Sequence, residues 1–194
     1  VHCVFMESLC QSTLQSLLDK DAIRDAQYRY GRGIDRADEA LLRSAYWPDA
    51  SDCHGAYRGS ADGFIAQALP RLRAGGRGVH QISNVLIELH GDLAAVESCF
   101  LALQTTAAAP AHATFLCGRY LDRFERRGGE WRIAERTVVY DWIEERTRPE
   151  LAQDDAALFG RRQPTGARAP HDPLDAFLAD VRARAARLAA QRAG

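Results

Sequence analysis

Cysteine is scarce and badly placed for cross-linking: Cys3, Cys10, Cys53, Cys99 and Cys117 are five in 194 residues. An odd number without a C-x-x-C pair supports neither a disulfide framework nor a zinc site, and reduced thiols in a cytoplasmic protein are expected. No apolar run approaches the roughly 18 residues of a membrane span, and the mildly apolar first ten residues carry no charged n-region. Secretion and membrane insertion are therefore not expected. Charge of one sign is missing too, since 26 acidic residues face 25 basic ones without a long block of either. That balance lacks the basic footprint a phosphate backbone requires, so nucleic acid is not an expected partner. P-loop, G-x-G-x-x-G, H-E-x-x-H and G-x-S-x-G patterns are all missing, which removes the usual support for nucleotide, zinc-protease and serine-hydrolase chemistry.

What is present is enough apolar material, 46% of 194 residues, for one core with an appendage. The division predicted is a domain over 14–146 followed by an arm and an amphipathic helix over 147–194. Leu14, Leu17, Leu18, Ile23, Ala26, Tyr30 and Ile34 recur mostly at three- or four-residue steps, the spacing of one buried helical stripe. Asp19 reads as the N-cap of the main helix, and Gly31 with Gly33 as its weakening toward an exit at Asp35. A short helix over 37–46 stopped by Pro48, a strand over 50–57, and a helix capped by Ser60 and broken at 75–78 follow.

Beyond Gly78, β-branched and aromatic residues dominate, and turn signals at 91–92, 107–110 and 127–129 divide the chain evenly. Four long strands are predicted over 79–89, 93–105, 112–125 and 130–144, and short connections make an antiparallel meander the simplest topology. Residues 146–172, rich in Pro, Gly, Arg and Asp, read as an extended, poorly packed arm. Leu174, Phe177, Leu178, Val181, Ala185 and Leu188 then restore helical periodicity, expected to pack on this subunit or a neighbour rather than on a membrane.

Chemistry has to come from polar residues set among apolar ones: Tyr30, Asp35, His80, His112 and Arg136. Asp35 alone is a turn-former at a helix exit, and His80 alone a satisfied structural imidazole. Together they mean more, because a carboxylate bonded to one ring nitrogen fixes the imidazole tautomer and leaves the other nitrogen to take a proton. His54, Asp49 and Asp52 have no recognised ligand spacing with His80, so no metal is expected. Trp47, Tyr140 and Trp142 read as core or rim aromatics that could also line a flat apolar slot.

Four segments carry a resemblance: D-K-D-A-I-R-D-A-Q-Y-R-Y-G-R-G-I-D ending at Asp35, A-Y-W-P-D-A at 45–50, G-V-H-Q-I-S-N at 78–84 and Y-L-D-R-F-E-R-R-G-G-E-W-R-I at 120–133. In order and spacing, over about 17–145, the chain resembles the SnoaL-like branch of the nuclear transport factor 2-like superfamily. That resemblance implies an α+β fold: a cone-like barrel of three N-terminal helices on a strongly curved antiparallel sheet, here with a C-terminal helical extension, assembled as a homodimer or homotrimer. It implies His80 as general base and Asp35 as its orienting carboxylate, with Tyr30 and Arg136 assisting a departing group and Trp47, His112, Tyr140 and Trp142 lining the substrate. The activity implied is a cofactor-independent lyase, of dehydratase or dehydrohalogenase type, or a double-bond isomerase, acting on a small hydrophobic cyclic molecule. The same fold also serves as a non-catalytic ligand-binding or protein-interaction domain, and that alternative stays open.

Overall fold

The computed structural model describes residues 2–105, 112–147 and 164–193. Helix α1 (His2–Arg36) leads into α2 (Glu39–Ser44), strands β1 (Tyr46–His54) and β2 (Tyr57–Ser60), helix α3 (Ala61–Ala74), strands β3 (Gly78–His90), β4 (Leu93–Thr105), β5 (His112–Arg127) and β6 (Glu130–Thr147), and last α4 (Pro173–Ala193). The meander β3 to β6 is the predicted one, with turns at Gly91, where φ is +64°, and at Gly128–Gly129, where φ is +60° and +84°. Glycine adopts that left-handed backbone without the cost a Cβ would bring. The expected turn at 107–110 lies outside the described residues.

Around this meander the sheet departs from expectation. It has six strands in the order β2-β1-β6-β5-β4-β3, and β1 runs parallel to β6, pairing Asp52 with Arg136 and Cys53 with Thr137. The sheet is therefore mixed, curved and unclosed rather than wholly antiparallel. Its curvature has local causes: β3 shifts register between Ser83 and Leu86, where Asn84 takes φ +48°, and β6 carries an extra residue against β5 at Asp141, opposite Cys117/Gly118, and at Ala134, opposite Arg123/Phe124. Such bulges bend a strand and tighten its twist. The inner face carries Ala94, Val96, Phe100 and Ala102 of β4 with Tyr120 and Phe124 of β5, all buried, and α1 and α3 cover it.

Helix α1 corrects three expectations. It is continuous through Asp19, which does not cap it: that buried carboxylate accepts from the Trp131 indole N–H at 2.9 Å and pairs with Arg126 at 3.1 Å. It also runs through both glycines to Arg36, because they serve close approach rather than termination. A Cβ on Gly33 would stand 2.8 Å from the Leu42 backbone, and one on Gly31 would stand 3.1 Å from Ile82. Finally, Leu14, Leu17 and Leu18 are more than half exposed while Ile23, Ala26, Tyr30 and Ile34 are buried; the sheet reaches only the second half of the helix. Replacing Gly33 with alanine should destabilise the protein. The overpacked α1–α2 corner costs roughly 1–3 kcal/mol, against the roughly 1 kcal/mol alanine gains as a helix former. Urea unfolding followed by tryptophan fluorescence measures the difference, and an unchanged midpoint would show that the corner opens freely.

The expected short helix over 37–46 is only Glu39–Ser44, capped by Asp38, whose side chain accepts from Leu41 N. Pro48 lies within β1, and the predicted strand over 50–57 becomes a hairpin, β1 and β2 turning at Gly55 with φ +63°. Ser60 caps α3 as expected, its Oγ accepting from Gly63 N at 3.1 Å. The arm is a further correction. Residues 148–163 lie outside the description, but 164–172 is anchored on the end of α1 rather than loose. Buried Asp172 pairs with Arg36 at 3.2 Å and Arg32 at 3.4 Å and accepts from Ala167 N, while Ala169 N bonds the Arg36 carbonyl. Beyond it α4 exposes Phe177, Val181 and Leu188. No helix among the described residues is long and apolar enough to cross a membrane.

Candidate active site

Two chain segments far apart in sequence deliver the central pair. Asp35 occupies the last turn of α1, and His80 follows the glycine-rich break at the start of β3. Asp35 Oδ1 stands 2.6 Å from His80 Nδ1, and Oδ2 accepts the His80 backbone N–H at 2.9 Å. One carboxylate thus holds both the ring and the main chain of the same residue, with side chains only 11% and 7% exposed. With Nδ1–H donating to Oδ1, the neutral ring carries its free lone pair on Nε2.

Both residues line a cavity of about 660 Å³ bounded by α1, β2, α3, the near ends of β3–β5 and the arm. Tyr30, Ile34, Tyr57, Phe64 and Leu72 furnish an apolar, aromatic wall, and Gln104, Thr105 and Thr114 a polar one. Its size falls within the range of small-molecule pockets. A second hollow of about 630 Å³ lies against the sheet over Leu86, Glu97 and Leu121, but no imidazole lines it.

Tyr30 is 1% exposed, and its buried phenol is pushed well above the usual tyrosine range by desolvation, then by Tyr120 and Tyr46 beside it; it keeps its proton and is a donor. Arg136 is fully buried beneath it and does not line the cavity. Its guanidinium donates to Asp122 through Nε and Nη2, both at 2.7 Å, and to Gln27 Oε1 at 2.7 Å. The Tyr30 and Tyr120 ring centroids lie 4.0 Å from its central carbon, while Nη1 has no hydrogen-bond partner among the described residues. Burial, the largest single influence, would lower its pKa, but the charge and hydrogen bonds of Asp122 together with the neighbouring Tyr46 and Tyr30 raise it well above the usual arginine value.

The other residues singled out in the sequence are dispersed. Trp47 donates to the Glu125 carbonyl at 3.0 Å, flanked by Arg127 and Arg132 near the β5–β6 turn and away from the cavity. Trp142 is 59% exposed opposite Cys117, and His112, half-buried at the start of β5, is also outside the cavity wall. Tyr140 stands beside the cavity, its ring 6.4 Å edge-on from His54. His54, weighed from sequence only as a metal ligand, does line the cavity, stacked 4.3 Å from Phe64. Its Nδ1 is 3.4 Å from Asp52 Oδ1 without hydrogen-bond geometry, and Asp52 Oδ2 accepts from the Tyr46 hydroxyl at 2.7 Å. Arg168, another of the lining residues sequence reasoning missed, belongs to the arm and donates to the backbone carbonyls of Asp35 and Gly76. Strand alternation, which puts His54 on the same face as buried Ala50 and Asp52, could have flagged it; nothing local could have flagged Arg168.

A curved, unclosed sheet capped by helices, with an Asp–His pair inside its hollow, defines a cone-shaped α+β protein of the nuclear transport factor 2-like superfamily. Within it the chain belongs to the SnoaL-like domain family, matched over residues 15–137. No curated protein matches the sequence. Among solved structures it is similar to a candidate scytalone dehydratase from Novosphingobium aromaticivorans DSM 12444, at 18% identity over 68% of this chain and 90% of that one, TM-score 0.62. A hexachlorocyclohexane dehydrochlorinase from Novosphingobium barchaimii LL02 gives 22% identity over 69% and 94%, TM-score 0.61. The candidate beta subunit of an aromatic-ring-hydroxylating dioxygenase from N. aromaticivorans gives 23% over 66% and 93%, TM-score 0.53. These likenesses establish the fold.

Proposed function

We propose that the protein is a cofactor-independent lyase of dehydratase or dehydrohalogenase type, or a double-bond isomerase, acting on a small hydrophobic cyclic molecule. The observation that carries this reading is the 2.6 Å contact between Asp35 and His80 in the wall of a substrate-sized cavity. His80 Nε2 takes a proton from a carbon next to a carbonyl or other activating group, while Asp35 holds the ring in that tautomer. The released C–H pair becomes the new double bond, and the leaving group departs with its own bonding pair. The protonated Tyr30 phenol donates toward the carbonyl or leaving oxygen. Arg136 serves as a positioning residue, fixing Tyr30 through its ring face rather than meeting substrate.

The half-buried free thiols of Cys53, Cys99 and Cys117 suit a cytoplasmic setting. Exposed Leu101, Leu103, Phe115 and Trp142 on the sheet support assembly as a homodimer or homotrimer. The structural likeness to dehydratase and dehydrochlorinase folds favours the lyase over the isomerase.

The test is incubation of wild type and His80→Ala with a panel of hydroxylated and halogenated cyclic compounds. Loss of an acting base should lower turnover by roughly 10²- to 10⁴-fold. Equal turnover by the two proteins would remove His80 as the base and leave the ligand-binding or protein-interaction alternative.

A further inference from the structure

The cavity's charge is unlike that of the rest of the chain. Among the described residues, four arginines line it, Arg58, Arg71, Arg77 and Arg168, with a single carboxylate, Asp35, which is committed to His80. They come from four separate segments: β2, the last turn of α3, the α3–β3 connection and the arm. A solvated face of one helix would not produce such a convergence.

Elsewhere the acidic residues are used to neutralise arginine. Arg43, Arg119, Arg126 and Arg127 each meet two carboxylates, and Arg136 has Asp122. Among the described residues, Arg58 and Arg71 have no carboxylate within ion-pair distance, although Arg73, two positions away on α3, pairs with Glu39. Arg168 spends its two terminal nitrogens on backbone carbonyls, which orient the guanidinium beside the dyad without cancelling its charge. Like charges gathered round a hollow repel one another, and they raise the local concentration of whatever anion fits it.

We infer that the molecule taken by this cavity carries an oxyanion, a carboxylate or a phosphate, on an apolar cyclic body: Arg58 and Arg71 receive the anion, Arg168 adds its charge beside them, and Phe64, Tyr57 and Leu72 receive the ring. Guanidinium groups suit both anions, since their parallel N–H donors match two oxygens at once. The inference deepens the proposed function by naming the substrate class and rests on that reading only for calling the ligand a substrate.

The test is calorimetric titration of the full chain with 2-naphthoate, 2-naphthyl phosphate and neutral 2-naphthamide, at low and high salt. At least one oxyanion should bind on the order of tenfold tighter than the amide at low salt, the advantage shrinking as salt rises; whichever of the two binds tighter identifies the anion. In the Arg58→Gln, Arg71→Gln double variant the advantage should vanish while the amide still binds as before, which also shows that the variant is folded. Equal affinity for acid and amide, an advantage untouched by the substitutions, or no binding of either oxyanion would overturn the inference. Repeating the titration with His80→Ala separates the two claims. Anion preference that persists there, beside wild-type and His80→Ala turnover that are equal, keeps the anion site and removes the lyase.

Discussion

Asp122→Ala should cost about 3–5 kcal/mol of stability, because it leaves the Arg136 guanidinium charged, buried and unpaired. Both side chains of the pair are fully buried. The aspartate also accepts from Gln27 Nε2 at 2.6 Å, and Gln27 in turn accepts from Arg136, so three donor nitrogens, two of Arg136 and one of Gln27, lose an acceptor together. Against a typical total of about 5–15 kcal/mol, the loss is large enough to lower the urea midpoint severely or to prevent accumulation of folded protein. A compensated Asp122→Leu, Arg136→Met double variant removes the stranded charge and should recover most of the loss, since well-packed apolar replacements of buried ion pairs are often neutral. A single variant no less stable than the double one would show that water or rearrangement relieves the charge. The double variant also probes Tyr30: with the guanidinium gone from 4.0 Å off its ring centroid, the phenol loses its support, and activity should fall even where stability recovers.

Asp35→Asn should be the most damaging conservative change for activity, on the order of 10²- to 10⁴-fold in kcat. The carboxylate uses one oxygen for the His80 ring and the other for the His80 backbone N–H. An amide has one acceptor oxygen. If that oxygen keeps the backbone N–H, the NH₂ group faces Nδ1 and forces the ring proton onto Nε2, which can then no longer take a proton. If the oxygen turns to the ring, the NH₂ opposes the backbone N–H and the start of β3 is pushed away. Either outcome is visible in the ¹⁵N shifts of the His80 ring, and kcat on a compound turned over by wild type reads the consequence. An asparagine variant with wild-type kcat would leave the pair a structural brace.

Recognition of Asp35 and His80 from sequence depended on motif order across the chain, whereas nothing local marked Arg136 as a buried, paired residue. A strand shows which residues alternate, but Asp122 and Gln27, the two residues that take up the Arg136 donors, come from another strand and a helix. Trp47 kept two readings open for the same reason: an aromatic suits a slot or a structural contact equally, and here it packs against the core with its indole N–H on the Glu125 carbonyl.

By itself the sequence determined the elements whose causes are local: the β3–β6 meander and its glycine turns, the Ser60 cap, the break after α3 and the final helix. Hydrogen bonding, side-chain alternation and backbone preference act within a few residues, so their signature survives in the linear order. Tertiary structure alone decided the parallel β1–β6 pairing, the passage of α1 through its glycines, the docking of the arm and the gathering of four arginines round one hollow. Each of these depends on surfaces from distant segments meeting in space, where close packing and unsatisfied charge, rather than local preference, select the arrangement.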